Sequence, residues 1–206
     1  MKPTVMILDY GMGNLHSVKK KLEHIGVSTI ISDNRKDIIK ADKLILPGVG
    51  HFAMAMKNIN SLDVIDTLLD FVFVSKKPIL GVCLGMQIMS GFSEEGNAKG
   101  LNWIDAQVLL FKITDKLKFK IPHIGWNTLL KSKDSPLLNG IHEKDEFYFV
   151  HSYHVIPNDN NDILTETDYE YRFCSAFQKE NIFGVQFHPE KSHTAGELLL
   201  RNFVNL

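Results

Sequence analysis

Cysteine is scarce in this chain, with two among 206 residues. That is too few for a disulfide framework in a chain of this length, and a reducing cytoplasm is the simplest setting. An excess of one charge is also missing: lysine and arginine total 23 against 24 acidic residues, for a formal net charge of -1. The basic footprint of a nucleic-acid binder is thereby excluded. No apolar run reaches the ~20 residues needed to cross a bilayer. The first run, preceded by one lysine, stops at Asp9; it is too short for a signal peptide and reads as a buried strand. Repeats, low-complexity tracts and linkers are absent, so residues 1–206 are expected to form a single domain. A metal site is not expected either. His151 and His154 have no acid or cysteine at ligand spacing, and one strand would point them to opposite faces.

Strand and helix signals alternate through the first half. Val5 to Leu8, Ser28 to Ile31, Lys43 to Leu46 and Pro78 to Val82 are compact apolar runs. Between the first two, Leu15, Val18, Leu22 and Ile25 recur at helical spacing, with Gly26 where a helix would stop. Further helices are expected from about His51 and over Leu62 to Val74. The second half is richer in strands: Gln107 to Phe111, Phe147 to Val150, Arg172 to Phe177 and Ile182 to Phe187. Polar turns are expected at 115–120 and 158–162. A last helix begins after Ser192, a candidate N-cap, with Ala195, Leu198, Leu199 and Phe203 on one face. The pattern predicts an α/β fold of three layers, a sandwich of helices around a mixed, mostly parallel, partly antiparallel sheet.

The sharpest local signal is Pro-Ile-Leu-Gly-Val-Cys-Leu-Gly-Met-Gln at 78–87. An apolar strand runs through Gly81, Val82, Cys83, Leu84 and Gly85 into a helical pattern, which is a nucleophile elbow with cysteine in the serine position. Such a turn exposes the sulfur at the carboxyl end of a strand, where open α/β sheets bind ligands. The following helix N-terminus favours a thiolate and offers backbone donors. The plainer reading is a small buried hydrophobe. Cys174, with no flanking glycine, reads as core or strand surface.

Near the C-terminus, Gly184 to Ser192 again takes an apolar strand into polar residues: His188, Pro189, Glu190, Lys191. Pro189 biases His188 toward extended backbone. In extended chain residues two apart share a side, so Glu190 is expected beside the His188 imidazole as the carboxylate that orients a base. Together with Cys83 this makes a nucleophile–base–orienter set. A third loop, Pro47-Gly48-Val49-Gly50-His51, lets backbone approach a ligand closely. One of its N–H groups and that of Leu84 could hold an oxyanion, although an ordinary strand-to-helix turn explains the loop equally well. A phosphate loop is disfavoured because the long glycine-rich fingerprint is missing.

These pieces together resemble class I (triad-type) glutamine amidotransferases, which have a flavodoxin-like fold, and within them the glutaminase subunits of imidazole glycerol phosphate synthase. The resemblance spans essentially the whole chain, through Asp9 to Leu15, Pro47 to Gly50, Gly81 to Gln87, Pro122 to Asn127, Tyr148 to Tyr153 and Gly184 to Ser192. It implies that Cys83 attacks the glutamine carboxamide, His188 moves the proton and Glu190 steadies the imidazolium. It also implies that Gln87, Ser152 and Tyr153 help bind glutamine, and that Gly48, Val49 and Gly50 supply the oxyanion donor, often after a partner docks. The partner implied is a (β/α)8-barrel cyclase forming a heterodimer, with Tyr10, Asn14, Trp126 and Lys191 near the docking face. No cofactor is implied. One segment departs from the pattern: Asn102 to Gln107 resembles paralogues that supply nitrogen to a sugar in surface-polysaccharide pathways. A cysteine hydrolase of the same architecture and a regulatory subunit without activity are the competing classes.

Overall fold

In chain order the elements of the computed structural model, which describes residues 3–206, are β1 (Thr4–Leu8), α1 (Leu15–His24), β2 (Ser28–Ser32), α2 (Arg35–Lys40), β3 (Lys43–Gly48), α3 (Phe52–Ser61), α4 (Ile65–Leu69), β4 (Ile79–Cys83) and α5 (Leu84–Gln87). They continue with β5 (Phe92–Ser93), β6 (Ala98–Lys99), β7 (Ala106–Leu110), β8 (His123–Thr128), β9 (Leu130–Lys131), β10 (Glu146–His151), β11 (Tyr153–Pro157), β12 (Ile163–Asp168), β13 (Arg172–Lys179), β14 (Ile182–Val185) and α6 (His193–Asn205). Met1 and Lys2, which belong to the segment read against a signal peptide, lie outside the described residues.

Twelve strands form one mixed sheet in the order β2-β1-β3-β4-β14-β13-β11-β7-β5-β6, with β12 beside β13 and β9 beside β12. The first five are parallel, and from β13 onward the pairing turns mainly antiparallel. Strands β8 and β10 form a separate antiparallel pair. Successive side chains of a strand point to opposite faces, and β1 shows the consequence. Met6 and Leu8 join Phe52, Ala55, Ile59 and Leu68 in one core. Val5 and Ile7 join Val18, Leu22, Leu199 and Phe203 in the other. Each fully buried large side chain contributes about 1.5–3 kcal/mol. The result is the three-layer α/β sandwich.

Local expectations held where the signal was local. Asn14 accepts from the Ser17 N–H at the start of α1, and Gly26 follows its end at φ 78°. Others need correction. The helix expected over 62–74 begins only at Ile65, because Asp63 turns the chain at φ 54°, and its second half is a π-helical turn, Asp70–Val74. The short helix α2, capped by Asn34, was not anticipated. Strand β3 runs through Pro47 and Gly48, which pair with Val82 and Cys83 of β4. Strand β14 stops at Val185, two residues early. His151 and His154 lie on two strands separated by a bend at Ser152, and both rings pack on Phe111, at 5.2 and 4.6 Å.

Candidate active site

Because β3, β4 and β14 are parallel neighbours, their carboxyl ends lie side by side. Each delivers a segment singled out from the sequence. Strand β4 ends in Cys83 at φ 54° and ψ −111°, a strained backbone for a side chain with a Cβ, costing about 1–3 kcal/mol. The glycines on either side permit this by close approach, not by positive φ. A Cβ on Gly85 would stand 1.8 Å from Leu46 O, and one on Gly81 2.6 Å from Gly85 O. The helix expected after the elbow is present and short: α5 is one turn of four residues.

Beyond β14 the chain reaches His188 at φ −103° and ψ 94°, and Pro189–Lys191 form a 3-10 turn. Glu190 is therefore brought beside His188 by a helical turn and not by extended chain, as expected from the sequence. His188 Nδ1 is 2.8 Å from Glu190 Oε1. A carboxylate only accepts, so Nδ1 carries the proton and donates. The ring's other nitrogen, Nε2, is buried with no partner in hydrogen-bond geometry. Burial disfavours the imidazolium, but the nearby Cys83 sulfur and the hydrogen bond and charge of Glu190 outweigh it, and the His188 pKa is pushed up to about 10.

Ser192 corrects another expectation. It stands at the N-terminus of α6 but makes no side-chain cap. Its hydroxyl instead donates to His188 O at 2.6 Å and accepts from Tyr148 N at 3.0 Å, while His188 N donates to Tyr148 O at 2.9 Å. The backbone of His188 is thus clamped to β10.

A cleft of about 310 Å3 opens at Cys83. It is lined by Val49, Gly50, Leu84, Gln87 and Glu95 together with Pro122, Val150, His151, Ser152 and Tyr153. Val49 is exposed and Gly50 takes φ 120°, while Gly48 is buried within β3. Gln87 is buried and donates to Tyr153 O at 3.0 Å and to Gln186 Oε1 at 2.9 Å. His151 of this lining sits with His123 and His154 among aromatic rings. Burial lowers His123 and His154 to about 4 and His151 well below its usual value.

The residues expected near a docking face divide. Trp126 is exposed, its ring stacked on His193 at 4.8 Å, and exposed Lys191 lies 5.4 Å from the Tyr148 ring centre. Asn14 is exposed and caps α1. Tyr10, in contrast, is buried: its hydroxyl donates to Pro47 O, bracing the end of β3. Burial first, and then Cys83, pushes its phenol up. Cys174 is a buried residue of β13 whose thiol donates to Ala176 O. Two site residues escaped sequence reasoning. Glu95 follows Glu94 in a polar turn with nothing to single it out, and Gln186 was read only as part of an apolar strand.

Residues 6–206 match the family described as glutamine amidotransferase class-I, and the chain belongs to that family. Among curated relatives it is 49% identical over 200 residues to imidazole glycerol phosphate synthase subunit HisH 2 of Methanococcus maripaludis, covering 97% of this chain and 98% of that one. It is 45% identical over 202 residues to the subunit of the same printed name from Pseudomonas aeruginosa, covering 98% and 99%. Among solved structures, PurLQS from Thermotoga maritima superposes with a TM-score of 0.76 at 18% identity, covering 100% of this chain and 99% of that one. At that identity the likeness concerns the fold.

Proposed function

We propose that this chain is a glutaminase subunit. It hydrolyses glutamine to glutamate and ammonia and passes the ammonia to a (β/α)8-barrel cyclase, for imidazole glycerol phosphate and AICAR formation in histidine biosynthesis. The observation that carries the reading is the pairing of His188 Nδ1 with Glu190, which leaves Nε2 as the proton acceptor on the side of Cys83, at the mouth of the cleft. In the reaction Nε2 takes the thiol proton, the sulfur attacks the carboxamide carbon, and the proton passes to the departing nitrogen as the carbon–nitrogen bond breaks. Water then hydrolyses the thioester to glutamate. Glu190 holds the tautomer and stabilises the imidazolium. The N–H of Leu84 and one from the loop at 48–50 receive the oxyanion, each such donor contributing ~3 kcal/mol. Both N–H groups of Gln87 point inward, so it offers the substrate its Oε1. Glu95 is the carboxylate on the cleft wall and suits the substrate's α-ammonium, with the backbone of Ser152 and Tyr153 at the other end.

The curated relatives are named as synthase subunits, which supports a partner. Exposed Trp126 and Lys191, and exposed Val49 on the cleft lining, suit its docking. Among the described residues no helix is long and apolar enough to cross a membrane, and two buried free thiols suit the cytoplasm. The curated relatives, named as imidazole glycerol phosphate synthase subunits, favour the histidine pathway over a sugar acceptor, and the segment that resembles the sugar-pathway paralogues does not line the cleft. Trp103 is 4% exposed in the core and meets Phe73 edge-on at 6.4 Å, away from the cleft.

The test is glutamate release by the chain mixed with its own organism's histidine-pathway cyclase and that cyclase's nucleotide substrate. Strong stimulation is expected, and none with Cys83→Ala. Full activity of Cys83→Ala would overturn the mechanism. No stimulation of a folded wild-type chain would assign a different barrel partner.

A further inference from the structure

We propose that Gln186 is a further catalytic residue, whose side-chain amide donates a hydrogen bond to the sulfur of Cys83 and stabilises the thiolate. Its use in turnover rests on the glutaminase reading. Gln186 follows β14, is fully buried, and places Nε2 3.6 Å from Cys83 Sγ. Its backbone is anchored by a 2.8 Å bond from its N–H to Ser175 O.

The orientation of the amide follows from its neighbours. The Tyr153 carbonyl can only accept, so Gln87 must present its NH2 group to it, at 3.0 Å, and His151 must donate from Nδ1, at 2.8 Å. The second N–H of Gln87 reaches Gln186 Oε1 at 2.9 Å. That leaves the NH2 of Gln186 turned toward the sulfur. His151 Nε2 is then an acceptor, and His123 Nδ1, 3.1 Å away, donates to it. For Gln87, Gln186, His151 and His123 there is thus one arrangement in which every close contact pairs a donor with an acceptor.

The chemistry needs such a donor. Cys83 is 7% exposed, and a buried anion without hydrogen bonds is costly. The Val150 carbonyl, 4.0 Å from Sγ, can accept only from the protonated thiol. The titratable groups that bear on Cys83 are His188 beyond β14 and the buried Tyr10 phenol beyond β1, with His151 at the end of β10 and the Glu95 carboxylate after β5 on the cleft lining. Of these only the imidazolium favours the thiolate, and Gln186 supplies a second donor that carries no charge.

The experiment is the pH profile of Cys83 alkylation by iodoacetamide, in which the carbon–sulfur bond forms and iodide leaves. It is read on the Cys83 peptide by mass spectrometry, apart from buried Cys174. Gln186→Met should move the profile up by about one pH unit and slow alkylation about tenfold below the midpoint. With the partner bound, kcat should fall about tenfold while KM changes little. Gln87→Met frees Gln186 to turn and should shift the profile the same way by less; it carries the test if Gln186→Met does not fold. A profile unchanged from wild type, even with a lower melting temperature, would overturn the proposal and leave Gln186 a packing residue. If the wild-type pair releases no glutamate but the profile still shifts, the glutaminase reading fails and the assignment of the donor stands.

Discussion

Acidification from about pH 7 to about pH 5 is expected to cost this protein about 3 kcal/mol of stability, and buried histidines set that figure. His123, His151 and His154 are 3%, 6% and 4% exposed and surround Phe111. Burial holds His123 and His154 near 4 and His151 well below its usual range. In the unfolded chain each would charge near pH 6.5. Their contribution is complete above that pH and is lost as pH falls from 6.5 toward 4, because the unfolded state then binds protons that the folded state refuses. Near pH 5 the gap amounts to about 2 kcal/mol per ring, and about half of that once local relaxation and water entry on charging are allowed for. His188 has the opposite sign. Its raised value makes its contribution complete below 6.5 and loses it only toward 10, so between pH 7 and pH 5 it returns less than about 1 kcal/mol of the acid loss. Urea unfolding at several pH values measures the effect. His123→Phe places a similar ring where Phe149 already stacks at 5.0 Å, and it should flatten the pH dependence by about 1 kcal/mol. Equal wild-type stability at both pH values, or an unchanged slope in the variant, would refute the reasoning.

Two further outcomes are expected. Glu190→Gln presents an NH2 group that can donate to His188 Nδ1, moving the ring proton to Nε2 and removing the base. In turnover assays kcat should fall about a thousandfold with KM little changed, and a loss under tenfold would remove Glu190 from the orienting role. Gly85→Ala would place a Cβ 1.8 Å from the Leu46 carbonyl, backbone against backbone. A destabilisation of about 3 kcal/mol or outright failure to fold is expected, and an unchanged melting temperature would show that the elbow can shift.

Much of this site was legible because its signals are local. The elbow announces itself by glycines two residues either side of Cys83, and the base and its carboxylate sit two residues apart. Even so, Glu190 was placed beside His188 for the wrong reason, since the turn after Pro189 is 3-10 and not extended. Ser192 was rightly set at the start of α6, but its hydroxyl serves His188 and Tyr148 instead of the helix. The two-residue strands β5, β6 and β9 carry too few residues for any periodicity to show.

What the sequence determined by itself was the strand–helix alternation of the first half, the three strand-end segments and the placing of Cys83, His188 and Glu190 on them. Apolar period, glycine and proline act within a few residues and can be read there. What only the tertiary structure decided was the rest of the cleft: Glu95 on its wall, Tyr10 turned inward to brace Pro47, the buried histidines, and Gln186 against the sulfur. Gln186 meets Gln87 across 99 residues and Cys83 across 103. Such contacts exist because β4 and β14 pair in parallel register, an outcome of how the whole sheet closes that no local stretch of chain encodes.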